Sequence, residues 1–369
     1  MSGDEESKKS AYKFLFYTLA GSLGMLLSIL YLGYLYYDQT GTFSFLLNDL
    51  LRLDLSSSEQ AYLFAGFFVA FAVKSPIFPF HTWLPDTYSN APRGVAAVMA
   101  GLLFQAGIYG LFRFAMVLFP AAFEQYSGVI AVLAVIGIVY GAMLAWVQDS
   151  AARILSYASI SHVGFSVLGL SMLTVASIVG GMFLLVAHIL IAVGLFFLID
   201  ILRQRGGNDH LNSYSGLAVT APKFSFFMIC FSLAAISLPL TISFVGEFIV
   251  LKEAFAQNQV LAMVALLGVI LGAVYMLRLC QSLLFGAPLS ENNNVDAFQD
   301  LNRDEVTTLS AILLLIVVLG LYPKFVLGLM EPIVDSQVRL MERSAPYHIN
   351  GGKDKRKIPS GIVLASGER

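Results

Sequence analysis

The sequence predicts an all-α polytopic membrane protein, because of its composition, its long apolar runs and its prolines at membrane depth. Of the 369 residues, 57% are hydrophobic and 12% are charged, and the mean hydropathy is +0.77. Soluble proteins average about 25% charged residues. A helix needs about 20 apolar residues to cross a bilayer, and nine runs meet that length. They cover residues 12–37, 59–84, 94–119, 127–147, 153–174, 176–202, 222–252, 259–286 and 306–328.

These spans place a helical bundle at residues 11–332, between a polar N-terminus (1–10) and a polar C-terminal tail (333–369). Most loop cations fall on one side of the membrane, which is expected to be cytoplasmic or matrix. That side carries Lys8, Lys9, Lys13, Arg93, Arg153, Arg203, Arg205, Lys223 and Arg303, and the other side carries Arg52, Lys252 and Lys324. The basic tail falls on the second side, so either a partner holds it or one span is miscounted.

Two spans contain prolines at membrane depth, and both are predicted to be discontinuous helices. The second span carries Pro76 and Pro79, and the seventh carries Pro239. Proline removes a backbone donor and clashes with the preceding turn, so the freed carbonyls must be satisfied by protein or water. The segments around Pro76 and Pro239 echo each other weakly, as the halves of an inverted-repeat transporter would. A kinked helix without a transport role is the alternative.

Lys74 lies at the end of an apolar run, immediately before the first proline break. An ammonium at the bilayer centre costs at least about 2.5–3.5 kcal/mol, so it is kept where it faces a polar interior. The pattern therefore predicts that Lys74 lines a polar cavity. The alternative is a lysine at a helix end that reaches the lipid headgroups, which the neighbouring Trp83 and Asp86 would favour.

Three other polar residues lie within predicted spans: Gln105, His188 and Glu247. Together with Lys74 they form a set that can pass protons, because lysine, histidine and glutamate can all change charge during turnover. Each also has a structural interpretation. His188 could be a packing histidine, Gln105 could join two helices by a hydrogen bond, and Glu247 could face the N-terminus of a half-helix. Four such residues with two broken helices favour a proton path.

Other chemistry finds little support in the sequence. Cys230 and Cys280 lie in apolar stretches without CxxC spacing, so we expect neither a disulfide nor a metal site. Nucleotide-binding loops and iron–sulfur ligand patterns are absent. The net charge of −2 gives no indication of a nucleic-acid partner. We therefore expect no catalytic redox residue and no cofactor on this chain.

Several ordered motifs resemble the antiporter-like subunits of respiratory complex I, most closely the NuoM type, subunit 4 of the mitochondrial enzyme. The motifs are KSPIFPFHTWLPDTYSNAP (74–92), MAGLLFQAGIYGLFRF (99–114), SYASISHVGF (156–165), AHILIAVGLFF (187–197), SFVGEF (243–248) and YMLRLCQSLLFG (275–286). The resemblance covers residues 11 to 332. It implies a fold of fourteen helices containing two inverted five-helix repeats, each with a broken helix.

Residue by residue, the resemblance implies that Lys74 is the central lysine of the first broken helix and Glu247 the terminal glutamate of the second. His188 matches a family histidine. Gln105 stands where the family usually has a bridging lysine, so the link between half-channels lacks a titratable group there. Leu240 replaces a glycine after the second proline, and Ala152 replaces a lysine beside Arg153, which we interpret as a surface change.

The resemblance implies a proton-translocating membrane-arm subunit of NADH:quinone oxidoreductase, in a bacterial or mitochondrial inner membrane. NADH, FMN, iron–sulfur clusters and quinone are then expected in partner subunits of this respiratory-chain translocase. The first span resembles the family's sixth helix, so we expect a separate chain to supply five N-terminal helices and a glutamate facing Lys74. The alternatives are a cation/proton antiporter or membrane-bound hydrogenase subunit, or a non-conducting structural paralogue.

Overall fold

The computed structural model describes residues 5–92, 94–286 and 298–344, and within these ranges the chain is helical with no β-strand. Twelve longer helices are numbered here in chain order. They are α1 (Glu5–Thr40), α2 (Ser57–Lys74), α3 (Leu84–Asn90), α4 (Val95–Leu118), α5 (Pro120–Trp146), α6 (Ala151–Ser171), α7 (Val175–Gly206), α8 (Pro222–Ala235), α9 (Ile242–Gln257), α10 (Gln259–Leu284), α11 (Arg303–Leu321) and α12 (Lys324–Ser344).

Seven of the described helices (α1, α4, α5, α6, α7, α10 and α11) are long and apolar enough to cross a membrane. The pairs α2–α3 and α8–α9 coincide with the two spans predicted to be discontinuous. The predicted class, an all-α polytopic membrane protein, is confirmed.

The ends of the bundle differ in detail from the predicted limits. Helix α1 already begins at Glu5, inside the predicted polar N-terminus. The ninth predicted span reaches residue 328, but α11 ends at Leu321, two residues before Pro323. Helix α12 crosses the predicted boundary at residue 332 and buries Val334, Val338 and Met341 against the bundle. Residues 345–369 of the predicted tail lie outside the described residues.

Helix α6 forms the centre of the bundle, and its span is the most buried of the seven. Small residues allow its neighbours to approach closely, as is common in membrane helices. A Cβ at Gly164 would lie 2.7 Å from the carbonyl oxygen of Ala134 on α5, and one at Gly181 on α7 would lie 2.7 Å from that of Ser166. Helices α5, α6 and α7 therefore pack backbone to backbone.

Ion pairs tie several helix ends together at the side of the bundle that the sequence predicts to be cationic. Asp86 on α3 accepts from Lys13 on α1 at 2.7 Å and from Arg153 on α6 at 3.3 Å. Arg205 at the end of α7 donates two hydrogen bonds to Glu305 on α11, at 2.6 and 2.8 Å. We call this end of the bundle, which carries Arg153 and Arg205, the arginine-rich end. Arg93, which was assigned to the same side, lies outside the described residues.

The first break lies between α2 and α3 and contains Pro76 and Pro79, the latter after a cis peptide bond. The N–H of Ile77 donates to the carbonyl of Ala72 at 3.0 Å, five residues back instead of four. The carbonyl of Val73 accepts instead from the indole N–H of Trp83, at 2.9 Å. A fully buried side chain thus satisfies a carbonyl that the break leaves without its helical partner.

The second break, which contains Pro239, partly repeats this arrangement. The N–H of Leu238 donates to the carbonyl of Leu233 at 3.1 Å, again five residues back. The carbonyl of Ala234 accepts from the N–H of Ser237 at 3.1 Å and also from the Ser243 hydroxyl, at the start of the following half-helix. The echo seen in the sequence is therefore also present in the hydrogen bonds.

Leu240 has a backbone φ of +81°, in the left-handed region that glycine favours. The position therefore suits the glycine that the family pattern places there, and Leu240 occupies it at a cost of about 1–2 kcal/mol.

We predict that Trp83→Phe lowers the free energy of unfolding by about 1–3 kcal/mol, because the Val73 carbonyl loses its donor in a dry environment. Trp146→Phe is the matched control. Trp146 is 47% exposed and its indole makes no hydrogen bond within the described chain. The measurement is thermal unfolding of both variants in detergent. Equal effects of the two substitutions would contradict the role assigned to the indole.

Candidate functional site

The second broken helix carries a buried acid beside two imidazoles. Glu247 lies on α9, is 4% exposed, and has its Oε1 3.4 Å from Nδ1 of His162 on α6. The His162 ring in turn lies beside His188 on α7, with ring centroids 5.8 Å apart. Tyr275 on the neighbouring α10 is also buried. Three helices thus bring one carboxylate and two imidazoles into a continuous row.

A small internal space, which we call the histidine cavity, adjoins this row. It has a volume of about 30 Å³ and is lined by His162, His188, Ser159, Ser243 and apolar side chains of α6, α7 and α10. A water molecule needs roughly 10–15 Å³ by this measure, so the cavity has room for about two. The Ser243 hydroxyl that satisfies the second break faces the same space.

His162 was not singled out from the sequence, although it lies in the motif SYASISHVGF. Two signals could have identified it. It stands mid-span in the fifth predicted helix, as His188 does in the sixth, and both spans are nearly free of other charge. The structure assigns His162 the position between Glu247 and His188.

Gln105 lies on α4, which packs against the first break and against α7, the helix that carries His188. A Cβ at Gly101 would touch Val193 on α7, and one at Gly107 would touch Ser75 in the first break. The helix is wound as a π-helix on both sides of Gln105, at Met99–Leu103 and Leu111–Ala115. Such turns are frequent at functional sites. Gln105 is 7% exposed, and neither of its amide atoms has a hydrogen-bond partner in the described part of the chain.

Lys74 lies at the surface of the described chain. Its side chain lines a groove of about 270 Å³ between α1 and α2, together with Thr18, Ser22 and apolar residues. Within the described residues its ammonium has no hydrogen bond or ion pair. Trp83 and Asp86 are the neighbours that would favour a headgroup position for Lys74. In the structure the Trp83 indole donates to the Val73 carbonyl, and Asp86 pairs with two cations of the arginine-rich end.

One sequence interpretation is corrected by these contacts. Ala152 was interpreted as a surface change, but it is fully buried, and its N–H donates to Asp209 at 2.9 Å. That interpretation is wrong, because the loop before α8 folds over the start of α6. Cys230 and Cys280 are both free thiols. No group of residues suited to a metal ion occurs within the described ranges.

This geometry suits proton transfer better than other chemistry. A carboxylate 3.4 Å from an imidazole is just beyond the range of direct proton transfer, so a small approach of the two side chains or one bridging water would allow it, and a second imidazole beside a cavity with room for two waters can exchange a proton through them. The structure brings Glu247, His162 and His188 together. It places Lys74 separately at the first break and Gln105 on the helix between the two breaks.

Comparison with known proteins identifies the family of this chain. Residues 1–272 match the family model described as NADH:quinone oxidoreductase/Mrp antiporter, transmembrane. Chain 4 of the NADH-ubiquinone oxidoreductase of Marchantia polymorpha is 37% identical over 331 residues, which cover 90% of this chain and 65% of that protein. Subunit M of the NADH-quinone oxidoreductase of Rickettsia prowazekii is 33% identical, with coverage of 90% and 67%. The chain thus spans about two thirds of the length of these relatives.

Among solved structures, a chain of respiratory complex I from Thermus thermophilus superposes with a TM-score of 0.83 and 32% identity, covering 90% of this chain and 69% of that one. A chain of the Mrp complex from Dietzia sp. DQ12-45-1b has the same fold, with a TM-score of 0.78 at 20% identity. The protein is an integral inner-membrane protein. The chain belongs to the NADH:quinone oxidoreductase/Mrp antiporter transmembrane family, and within it to the subunit M and chain 4 type.

Proposed function

We propose that this chain is a proton-translocating subunit in the membrane arm of NADH:quinone oxidoreductase. In this proposal protons pass through Lys74, Gln105, His188 and Glu247, with His162 as a further member of the path. The row formed by Glu247, His162 and His188 at the second break is the observation that carries the proposal. Placing three ionisable groups at membrane depth, one of them the buried Glu247, is costly, and such groups mark ion or proton routes.

The size of the internal space supports protons as the cargo. The histidine cavity has a volume of about 30 Å³, which holds waters but no sugar or peptide. Its polar lining consists of hydroxyls and imidazoles, which can both donate and accept hydrogen bonds. Waters ordered by such groups conduct protons without the passage of a larger solute.

A partner at Lys74 is part of the proposal. An ammonium facing lipid at this depth would be unstable, whereas one facing a carboxylate would be stabilised. The groove beside Lys74 already contains the Thr18 and Ser22 hydroxyls. We propose that transmembrane helices from a separate chain fill this groove and place a carboxylate near Lys74. Other membrane-arm subunits would be further partners.

Electron transfer is assigned to other subunits in this proposal. NADH, FMN, iron–sulfur clusters and quinone would be bound there, and this chain would take part in a translocase without a redox step of its own. Glu247, His162 and His188 would respond to charge movement elsewhere in the complex.

One observation favours a second candidate, a non-conducting structural paralogue. Gln105 replaces the bridging lysine, and its amide lies in a closed region without a partner among the described residues. A link that is dry at this point would not conduct. The two candidates therefore differ in the state of the helix around Gln105.

We predict that Lys74→Ala lowers proton pumping per electron by about tenfold or more while the complex still assembles, because a positioned proton-transfer group is lost. Lys252→Ala is the matched control. Lys252 is on α9, with a side chain that is 70% exposed and paired with Glu253. Pumping is measured in reconstituted vesicles. Unchanged pumping in Lys74→Ala would contradict the proposed path.

We predict that Gln105→Lys assembles and pumps at or above the parental level, because a hydrated axis accommodates an ammonium. In a dry interior the same change would strand a charge at a cost of about 3–5 kcal/mol and prevent assembly. Gln105→Leu is the comparison and should lower pumping. Failure of Gln105→Lys to assemble, together with full activity of Gln105→Leu, would favour the structural paralogue.

A further inference from the structure

A second polar space lies at the arginine-rich end of the bundle. This cleft has a volume of about 400 Å³, and its lining includes Ser89, Asn90, Ser150, Arg153, Arg203 and Asp209. It opens among the loops and helix ends, whereas the histidine cavity lies inside the bundle. The proposed proton path does not include this cleft.

Asp209 fixes the wall of this cleft. Burial by itself raises the pKa of the Asp209 carboxyl, but the Arg203 guanidinium and hydrogen bonds from the Ser150 hydroxyl and the Ala152 N–H hold it below its ordinary value. The carboxylate therefore stays charged at neutral pH.

The cleft and the histidine cavity lie one above the other along the same two helices. On α6, Arg153 lines the cleft, and Leu155 and Ala158, within the next two turns, line the cavity. On α7, Arg203 lines the cleft and Phe196 lines the cavity. Arg203 and Phe196 are separated by about 10 Å of helix rise on α7, and Arg153 and Leu155 by only about 3 Å on α6, so the barrier between the two spaces is thinnest at α6.

Tyr88 lies within this barrier. It is fully buried on α3, next to Ser89 and Asn90 of the cleft, and its ring packs edge-on against Phe196 of the cavity, with centroids 5.3 Å apart. Its hydroxyl has no hydrogen-bond partner in the described part of the chain. An unpartnered buried hydroxyl costs about 1–3 kcal/mol, which a water in the barrier would relieve.

We infer that the cleft is the mouth of an access path from the arginine-rich end to the histidine cavity, and that Tyr88 is its gate. With the ring in place the barrier is closed to anything larger than a proton. When the barrier admits water, the Tyr88 hydroxyl accepts one hydrogen bond and donates another, which connects waters of the cleft to those of the cavity. This inference rests on the proposed function and adds to it the side of the membrane that the cavity meets.

The test is cysteine accessibility in sealed membrane vesicles of both orientations, with the chain in its native assembly. Cys230→Ala and Cys280→Ala remove the native thiols, and Ala158→Cys places a probe in the cavity. Ag⁺ is added from one face in chloride-free buffer, and the remaining thiol is quantified with a maleimide after denaturation. We expect Tyr88→Ala to accelerate modification from the arginine-rich face at least about tenfold, equivalent to about 1.4 kcal/mol in opening the barrier.

Two matched variants complete the test. Val167→Cys lies on α6 away from the cavity and should react equally slowly with and without Tyr88→Ala. Tyr88→Phe keeps the ring, so Ala158→Cys should stay protected while proton transfer slows several-fold. Three results in an assembled Tyr88→Ala variant would contradict the role of Tyr88 as a gate. They are faster modification of Ala158→Cys from the opposite face, equally faster modification from both faces, and no faster modification from either face. If Tyr88→Ala does not assemble, parental proton transfer in Tyr88→Phe overturns it.

The labelling result does not depend on transport. Loss of pumping in Lys74→Ala together with unchanged labelling in Tyr88→Ala would reject the gate and leave the proposed function standing. Side-specific labelling together with normal pumping in Lys74→Ala would reject the proposed function and leave the access path standing.

Discussion

The structure depends on one constraint, which is that every backbone carbonyl at membrane depth needs a donor. Both broken helices share two contacts that help to meet it. A backbone N–H bonds to the carbonyl five residues back, and a side chain at the start of the next half-helix donates to the following carbonyl, which in the second break also accepts from the Ser237 N–H. In the first break that side chain is Trp83, and in the second it is Ser243. Polar chemistry can exist beside such breaks because the backbone itself is satisfied.

The charged groups are placed by these breaks. Lys74 is the last residue of α2, where the helix dipole favours a cation. Glu247 follows the second break by one to two turns and meets His162 and His188 there. Helix α4 reaches from Ser75 of the first break to the His188 helix, and its two π-helical turns flank Gln105. A connection between two otherwise separate sites therefore passes through one helix.

The fold was largely predictable from the sequence, since apolar runs and internal prolines are local signals. Contacts between distant segments were not. The contact of His162 with Glu247 forms only when α6 and α9 pack together, and Ala152 looks like a surface residue until the loop with Asp209 folds over it. The predicted polar tail includes most of the amphipathic helix α12. Its apolar residues Val334, Val338 and Met341 are buried only through tertiary packing, which the sequence does not show. The family pattern correctly identified position 240 as one suited to glycine, and its positive φ gives the reason.

In the proposed path the Glu247 carboxyl gains and loses a proton while the complex turns over. Infrared difference spectroscopy of the reconstituted complex, in the carbonyl-stretch region of protonated carboxylic acids, measures this directly. We expect a difference band during NADH oxidation that disappears in Glu247→Gln and shifts in His162→Gln. A spectrum in which Glu247→Gln and the parent are identical, with both complexes fully assembled, would contradict it.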